Sequence, residues 1–226
     1  MKRISLYEAF YQINDKLSYW IKLSLLWTIV NLPTFISLVL VLFTDFNFER
    51  YILLFLLFLS ICFNLFPSVQ TAFSLMRDLI IKEKIPTHLF KSFFRLYKQN
   101  YKRSILAGFI FCITGILIIL NISLLNSISY IAQSLFIILG MIFLLCMINY
   151  FSFQAHYYLS FKKAILNSII LTFSHPKYTV KILLILGISS VISFFIPIMV
   201  FFSISILVNI MFFLFHKEIE EIKPTK

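Results

Sequence analysis

The chain has 226 residues, of which 61% are hydrophobic and 13% charged, and a formal net charge of +11. Soluble domains carry roughly a quarter charged residues, so this composition excludes an ordinary water-soluble fold. The basic excess then bears first on which side of a membrane holds it, and only secondarily on nucleic-acid binding.

Runs without Asp, Glu, Lys or Arg cover Leu23–Thr44, Tyr51–Met76, Ile105–Phe161 and Ile182–Phe215. Each exceeds the roughly 18 residues that mark a membrane span. Met1, Lys2 and Arg3 invite a signal-peptide reading, but the apolar residues begin only near Leu17 and no small-residue cleavage site follows them. An uncleaved first span at 18–43 is expected. The second, at 51–76, follows the short acidic turn TDFNFER. Pro33 and Pro67, in NLP and LFP, predict kinks whose opened carbonyls Asn31 and Asn64 are placed to satisfy, and any cavity is expected between these two helices.

The next cytoplasmic stretch contains KSFFRLYKQNYKRS. Lys91, Arg95, Lys98 and Lys102 follow the i, i+4, i+7, i+11 rhythm of one helical face, while Leu89, Phe93, Leu96, Tyr97 and Tyr101 fall mainly on another. Thr87, after Pro86, is a cap for an amphipathic helix at 85–103, lying in the interface plane with its rings at the acyl boundary. Its expected partner is a lipid bilayer with an anionic inner leaflet. Nucleic acid is not expected, because spans flank the loop and the rings sort to one face, unlike a basic groove with bases stacked along it. Docking of a cytoplasmic protein on Lys91, Arg95, Tyr97, Lys98, Asn100, Tyr101 and Lys102 is compatible with the membrane-surface reading.

The long run after Ile105 is divided by the polar stretch NSISYIAQ into spans at 105–125 and 134–158. A shorter surface helix is expected at 160–175, ended by His175 and Pro176, with His175 as a turn residue. The last run would be about 50 Å long as one helix, against a hydrocarbon core of about 30 Å. Pro197 near its midpoint favours two short spans, 181–196 and 198–215. A single kinked helix, giving five spans in place of six, is the alternative. Sixteen basic residues fall on one side, and only Arg50 falls on the other, so the amino terminus is expected in the cytoplasm.

Apart from Lys22 near the inner rim, the spans hold no Asp, Glu, Lys or Arg beyond their ends, which argues against proton- and ion-coupled carriers. Asn31, Asn64, Gln70 and Gln154 have two readings: hydrogen bonds between helices, or a polar path through the bundle. Cys62, Cys112 and Cys146 have no disulfide or metal-ligand spacing and read as small apolar packers. Neither a glycine-rich phosphate loop nor HExxH, a nucleophile elbow or paired carboxylates occurs, so no catalytic residue, metal or cofactor is expected and the chain reads as a non-enzyme. A faint repeat links FPSVQTAFSLMR, with Gln70, to FSFQAHYYLSFK, with Gln154.

LLWTIVNLP, FPSVQTAFSLMR and FKSFFRLYKQNYKRS, in that order, resemble the YesL family of bacterial integral membrane proteins, catalogued as domain of unknown function 624. Pro67, Ala72, Arg77, Phe94, Tyr97, Lys98, Asn100, Tyr101, Lys102 and Ser104 carry the likeness, and SHP at 174–176 extends it to about residue 180. A glycine common in the family shortly after the arginine is absent from KEKIP. The resemblance implies a small multispan protein of the bacterial cell membrane that keeps company with carbohydrate-uptake permeases and sugar-degrading enzymes. The expected fold is all-α, a single polytopic membrane bundle over 1–226. The expected function is a non-enzymatic accessory of carbohydrate uptake, with a sugar-permease component as partner. A small-molecule or lipid transporter, or flippase, is the alternative.

Overall fold

The computed structural model describes residues 6–45, 48–83, 85–125, 129–196 and 199–222. Among them every regular element is helical: α1 (Leu6–Val30), α2 (Leu32–Phe43), α3 (Phe48–Ser60), a π-helical turn (Ile61–Leu65), α4 (Phe66–Lys82), α5 (Leu89–Leu125), α6 (Tyr130–Tyr157), α7 (Phe161–Ser174), α8 (Pro176–Phe195) and α9 (Met199–Ile222). The polar residues at 126–128, Pro197, Lys2, Arg3 and the last four residues lie outside the described residues.

Proline chemistry shapes the first span as expected; in the second the freed carbonyl is met by Tyr97 in place of Asn64. α1 and α2 form one apolar path bent by 59°, and Pro33 sits in the first turn of α2, where its missing N–H costs nothing. Asn31 at the bend is fully buried; its Nδ2 donates to the Trp27 carbonyl and to Ser68 Oγ, both at 2.8 Å. In the second path, α3, the π-turn and α4 run on as one 35-residue helix. Pro67 denies the Phe63 carbonyl its usual i+4 donor, and the Tyr97 hydroxyl donates to that carbonyl at 3.0 Å.

Four helices, at 48–82, 89–125, 130–157 and 176–195, are long and apolar enough to cross a membrane, and the bent α1–α2 pair makes a fifth path. The protein is thus an all-α, polytopic membrane bundle. After α8 the chain turns back as α9. Thr28 Oγ1 donates to the Phe201 carbonyl at 3.4 Å and Ser24 Oγ to Ser205 Oγ at 2.8 Å, so α9 runs antiparallel to α1. His175, at the start of α8, meets Glu218, near the end of α9, at 2.7 Å.

The packed core lies toward one end of this bundle. It gathers Tyr19 and Leu23 of α1, Phe66 to Leu79 of α4, Phe93 to Phe111 of α5, Leu145 to Ala155 of α6, Ala164 and Leu171 of α7, and Val208 to Ile219 of α9. The other halves of the same helices expose Val39, Leu42, Phe55, Ile119, Ile131, Leu135, Leu184 and Val191, the apolar surface a hydrocarbon solvent requires. Consequently the end bearing the basic residues is held by protein packing, whereas the far end presents an exposed apolar surface.

Two expectations are corrected here. The stretch 85–103 is not a separate helix lying flat on the bilayer: α5 continues without a break from Leu89 to Leu125. At 1.5 Å per residue it is about 55 Å long, so about 25 Å of it projects beyond the hydrocarbon core. Its aromatic face does not rest at the acyl boundary either. Phe93 and Leu96 are buried, on the same stripe as Asn100, Ser104, Ala107, Gly108 and Phe111, because α4 extends equally far and offers a better apolar partner than headgroups do. Phe90 and Phe94 alone of its phenylalanines stay exposed near the amino-terminal end of α5. α7 forms as expected at Phe161–Ser174, but doubles back along α6, burying Ala164, Ser168, Leu171 and Thr172 and leaving Leu166, Ile169, Ile170 and Phe173 outward.

Candidate functional site at the basic end

The basic end is assembled around the carboxy terminus of α6, whose last carbonyls lack intrahelical donors. Arg77 of α4, 12% exposed, donates through Nη1 to the Ala155 carbonyl at 2.8 Å, and its guanidinium carbon stands 5.6 Å from the centre of the Tyr158 ring. Its Nε and Nη2 hold Asp78 Oδ1 at 3.0 and 2.7 Å, and Lys82 holds the same oxygen at 2.9 Å. Arg103 of α5 donates to the Tyr158 carbonyl at 3.5 Å, and Gln154 Nε2 to the Leu159 carbonyl at 3.0 Å. Cations at a helix carboxy terminus oppose the negative end of its dipole, so both arginines act as caps as well as charges.

Beside this clamp lies a cleft of about 570 Å³, lined by Arg77, Asp78, Lys82, Arg95, Gln99, His156 and Tyr158 among others. Three cations face one carboxylate there, so the cleft favours an anionic occupant. On the outer face of α5, Lys91, Arg95, Lys98 and Lys102 are all exposed and lie opposite the buried stripe. Tyr97 and Tyr101 are half-buried. Asn100 is buried and donates to Ser74 Oγ at 3.2 Å, while Ser104 donates to the Asn100 carbonyl at 3.0 Å. Asn100 therefore leaves the set of docking residues and becomes part of the α4–α5 seam. Tyr97, capping the Phe63 carbonyl, has a structural task of the same kind.

The proposed polar path is not assembled. Asn31 is committed to Trp27 and Ser68, Asn64 is half-buried in the π-turn, and Gln70 donates to the Phe151 carbonyl at 3.4 Å. Gln70 and Gln154, the two ends of the faint repeat, do meet, together with Asn100, Arg103, Ser104 and Tyr150, but around a space of only about 10 Å³. That volume holds one water at most. Hydrogen bonding between helices is the arrangement found; likewise Asn149 donates to Thr172 Oγ1 at 2.9 Å and accepts from the Tyr178 hydroxyl at 2.7 Å.

A family described as a protein of unknown function, DUF624, matches residues 20–122. The match runs from Trp20 in α1 almost to the end of α5. It supports the family resemblance over the segment that contains the bend, the π-turn and the α4–α5 seam. No curated protein and no solved structure matches the chain. Within the matched segment most motif residues serve the fold: Pro67 follows the π-turn, Ala72 is buried, Arg77 clamps α6, and Asn100 and Ser104 stitch the seam. Lys98 and Lys102 are exposed.

The clamp on α6 was hidden from sequence reasoning. Arg77 stood out only as a motif residue and a topology charge, and Tyr158 and Gln99 carried no signal. His175, read as a turn residue, does end α7, but its Nδ1 also faces Glu218 Oε1 at 2.7 Å and fastens the α7–α8 corner to α9. Only tertiary contact reveals a pair separated by 43 residues.

Proposed function

We propose that this chain is a non-enzymatic member of that family of bacterial cell-membrane proteins, with its amino terminus and basic end in the cytoplasm, acting as a docking platform for a component of a carbohydrate-uptake system. One observation supports this reading: the exposed cations Lys91, Arg95, Lys98 and Lys102 stand on one face of the amino-terminal half of α5, whose opposite face is packed into the protein core, beside a cleft with a cationic lining. A rigid, solvent-facing cationic stripe presents itself to an acidic segment with less ordering cost than a helix floating on lipid. The sugar-permease partner follows from the family's company alone. The transporter alternative loses support because its four polar residues share no cavity of useful size.

Detergent-solubilised full-length protein, purified together with the sugar permease of the same membrane, tests the proposal. Lys98→Glu with Lys102→Glu is expected to release the permease, while the unfolding free energy stays within about 0.5 kcal/mol of the parent, as for exposed positions generally. Undiminished permease recovery with the doubly reversed protein would overturn the docking role.

A further inference from the structure

A second cleft, of about 600 Å³, opens between α1, α4 and α9 and is lined by Asp15, Lys16, Trp20, Leu79, Ile80, Glu83, Ile85, Asn209 and Phe213. Its volume lies in the range of small-ligand sites, roughly 300–1,000 Å³. None of its residues belongs to the clamp or to the basic stripe. The register that pairs Thr28 with Phe201 and Ser24 with Ser205 places Trp20 at the level of Asn209 and Lys16 at that of Phe213. The cleft is thus graded, with Trp20, Asn209, Leu79 and Ile80 deeper toward the membrane and Asp15, Lys16 and Glu83 nearer the helix ends.

Two donors in the deeper part lack an oxygen acceptor. Trp20 Nε1–H is buried with no hydrogen-bond partner among the described residues, although buried polar groups are almost always paired. Asn209 Nδ2 donates to the thioether of Met76 at 3.4 Å, a weak acceptor. At the rim, Glu83 ends α4 in the left-handed region, at φ 50 and ψ 28, where glycine is the ordinary choice. A glutamate kept there, with its side chain on the cleft wall, is an outlier of the sort that collects at ligand sites. Among the described residues the rim carries two carboxylates and one ammonium.

We propose that this cleft binds a phosphoethanolamine headgroup, with the ligand's ammonium at Asp15 and Glu83, its phosphate at Lys16, and an ester or phosphate oxygen at the Trp20 and Asn209 donors. The same gradation suits a membrane lipid, whose acyl chains leave at the deeper end of the cleft past Leu79 and Ile80. A purely anionic headgroup meets two carboxylates against one ammonium and is disfavoured.

Native mass spectrometry of the full-length protein in detergent, with equimolar phosphatidylethanolamine and phosphatidylglycerol of identical chains, tests this. The parent is expected to retain the ethanolamine lipid about fivefold over the glycerol lipid, the discrimination that a partly exposed ion pair supplies. Glu83→Gly, which relieves the backbone conformation, and Asp15→Asn are expected to erase that preference, and Trp20→Phe to weaken retention of both lipids. Displacement by soluble glycerophosphoethanolamine would assign the site to the free headgroup, and retention of the intact lipid against it would assign it to the membrane. Equal retention of the two lipids by the parent, or an unchanged preference in Glu83→Gly and Asp15→Asn, would overturn the proposal.

Discussion

Replacing Arg77 probes the contact that joins α4 to the end of α6. Arg77→Met removes one charge-assisted bond to the Ala155 carbonyl at 2.8 Å and two to Asp78. The Asp78 half is largely recovered, because Lys82 already holds that carboxylate at 2.9 Å. The Ala155 carbonyl, near the terminus of α6, loses the cation that caps it. A hydrogen bond to a charged group contributes about 1.5–3 kcal/mol, and an orphaned buried acceptor costs about 1–3 kcal/mol, two descriptions of the same loss. The expected destabilisation is therefore about 2–3 kcal/mol for Arg77→Met, which lowers the folded-to-unfolded ratio by a factor of about 30 or more. Arg77→Lys keeps the charge but has one Nζ where the guanidinium spreads three donor positions, so about 1 kcal/mol is expected. Reversible unfolding in mixed micelles, followed by helical circular dichroism, measures both. Hydrogen exchange of the last turn of α6 should quicken in the same order. A methionine variant within about 0.5 kcal/mol of the parent, with unchanged exchange there, would refute the capping role.

Gly108 lies where α5 crosses the π-turn, and a Cβ at that position would stand 3.2 Å from the Cys62 Cα and carbonyl oxygen and from Phe66 Cγ. Gly108→Leu should cost about 1–3 kcal/mol or more by overpacking against backbone, seen as a lower melting midpoint in detergent. Glu83→Gly is expected to stabilise the fold by about 1 kcal/mol and so raise that midpoint, since the left-handed conformation carries a penalty of about 1–2 kcal/mol for residues with a Cβ. A reporter fused after Ile222 should report the same side of the membrane as one fused at the amino terminus, because α9 runs antiparallel to α1.

Composition and apolar run length were enough to specify an all-helical membrane protein, because hydrocarbon leaves the backbone few alternatives. Local chemistry also wrote the proline features into the sequence: Pro33 and Asn31 mark the 59° bend, and Pro67 marks the distorted second path. Charge placement identified the basic end. What the one-dimensional pattern misread was the destination of an amphipathic face. Phe93 and Leu96 show the same periodicity whether they meet lipid or protein, and only the equal reach of α4 decided for protein. The same ambiguity governs Asn31, Gln70 and Gln154, whose amides suit a polar path or a helix–helix bond equally well until a neighbour's distance is known. Arg77 with Ala155, His175 with Glu218, and Trp20 with Asn209 are far apart in sequence, so the caps, the corner and the second cleft came into being only when the helices packed.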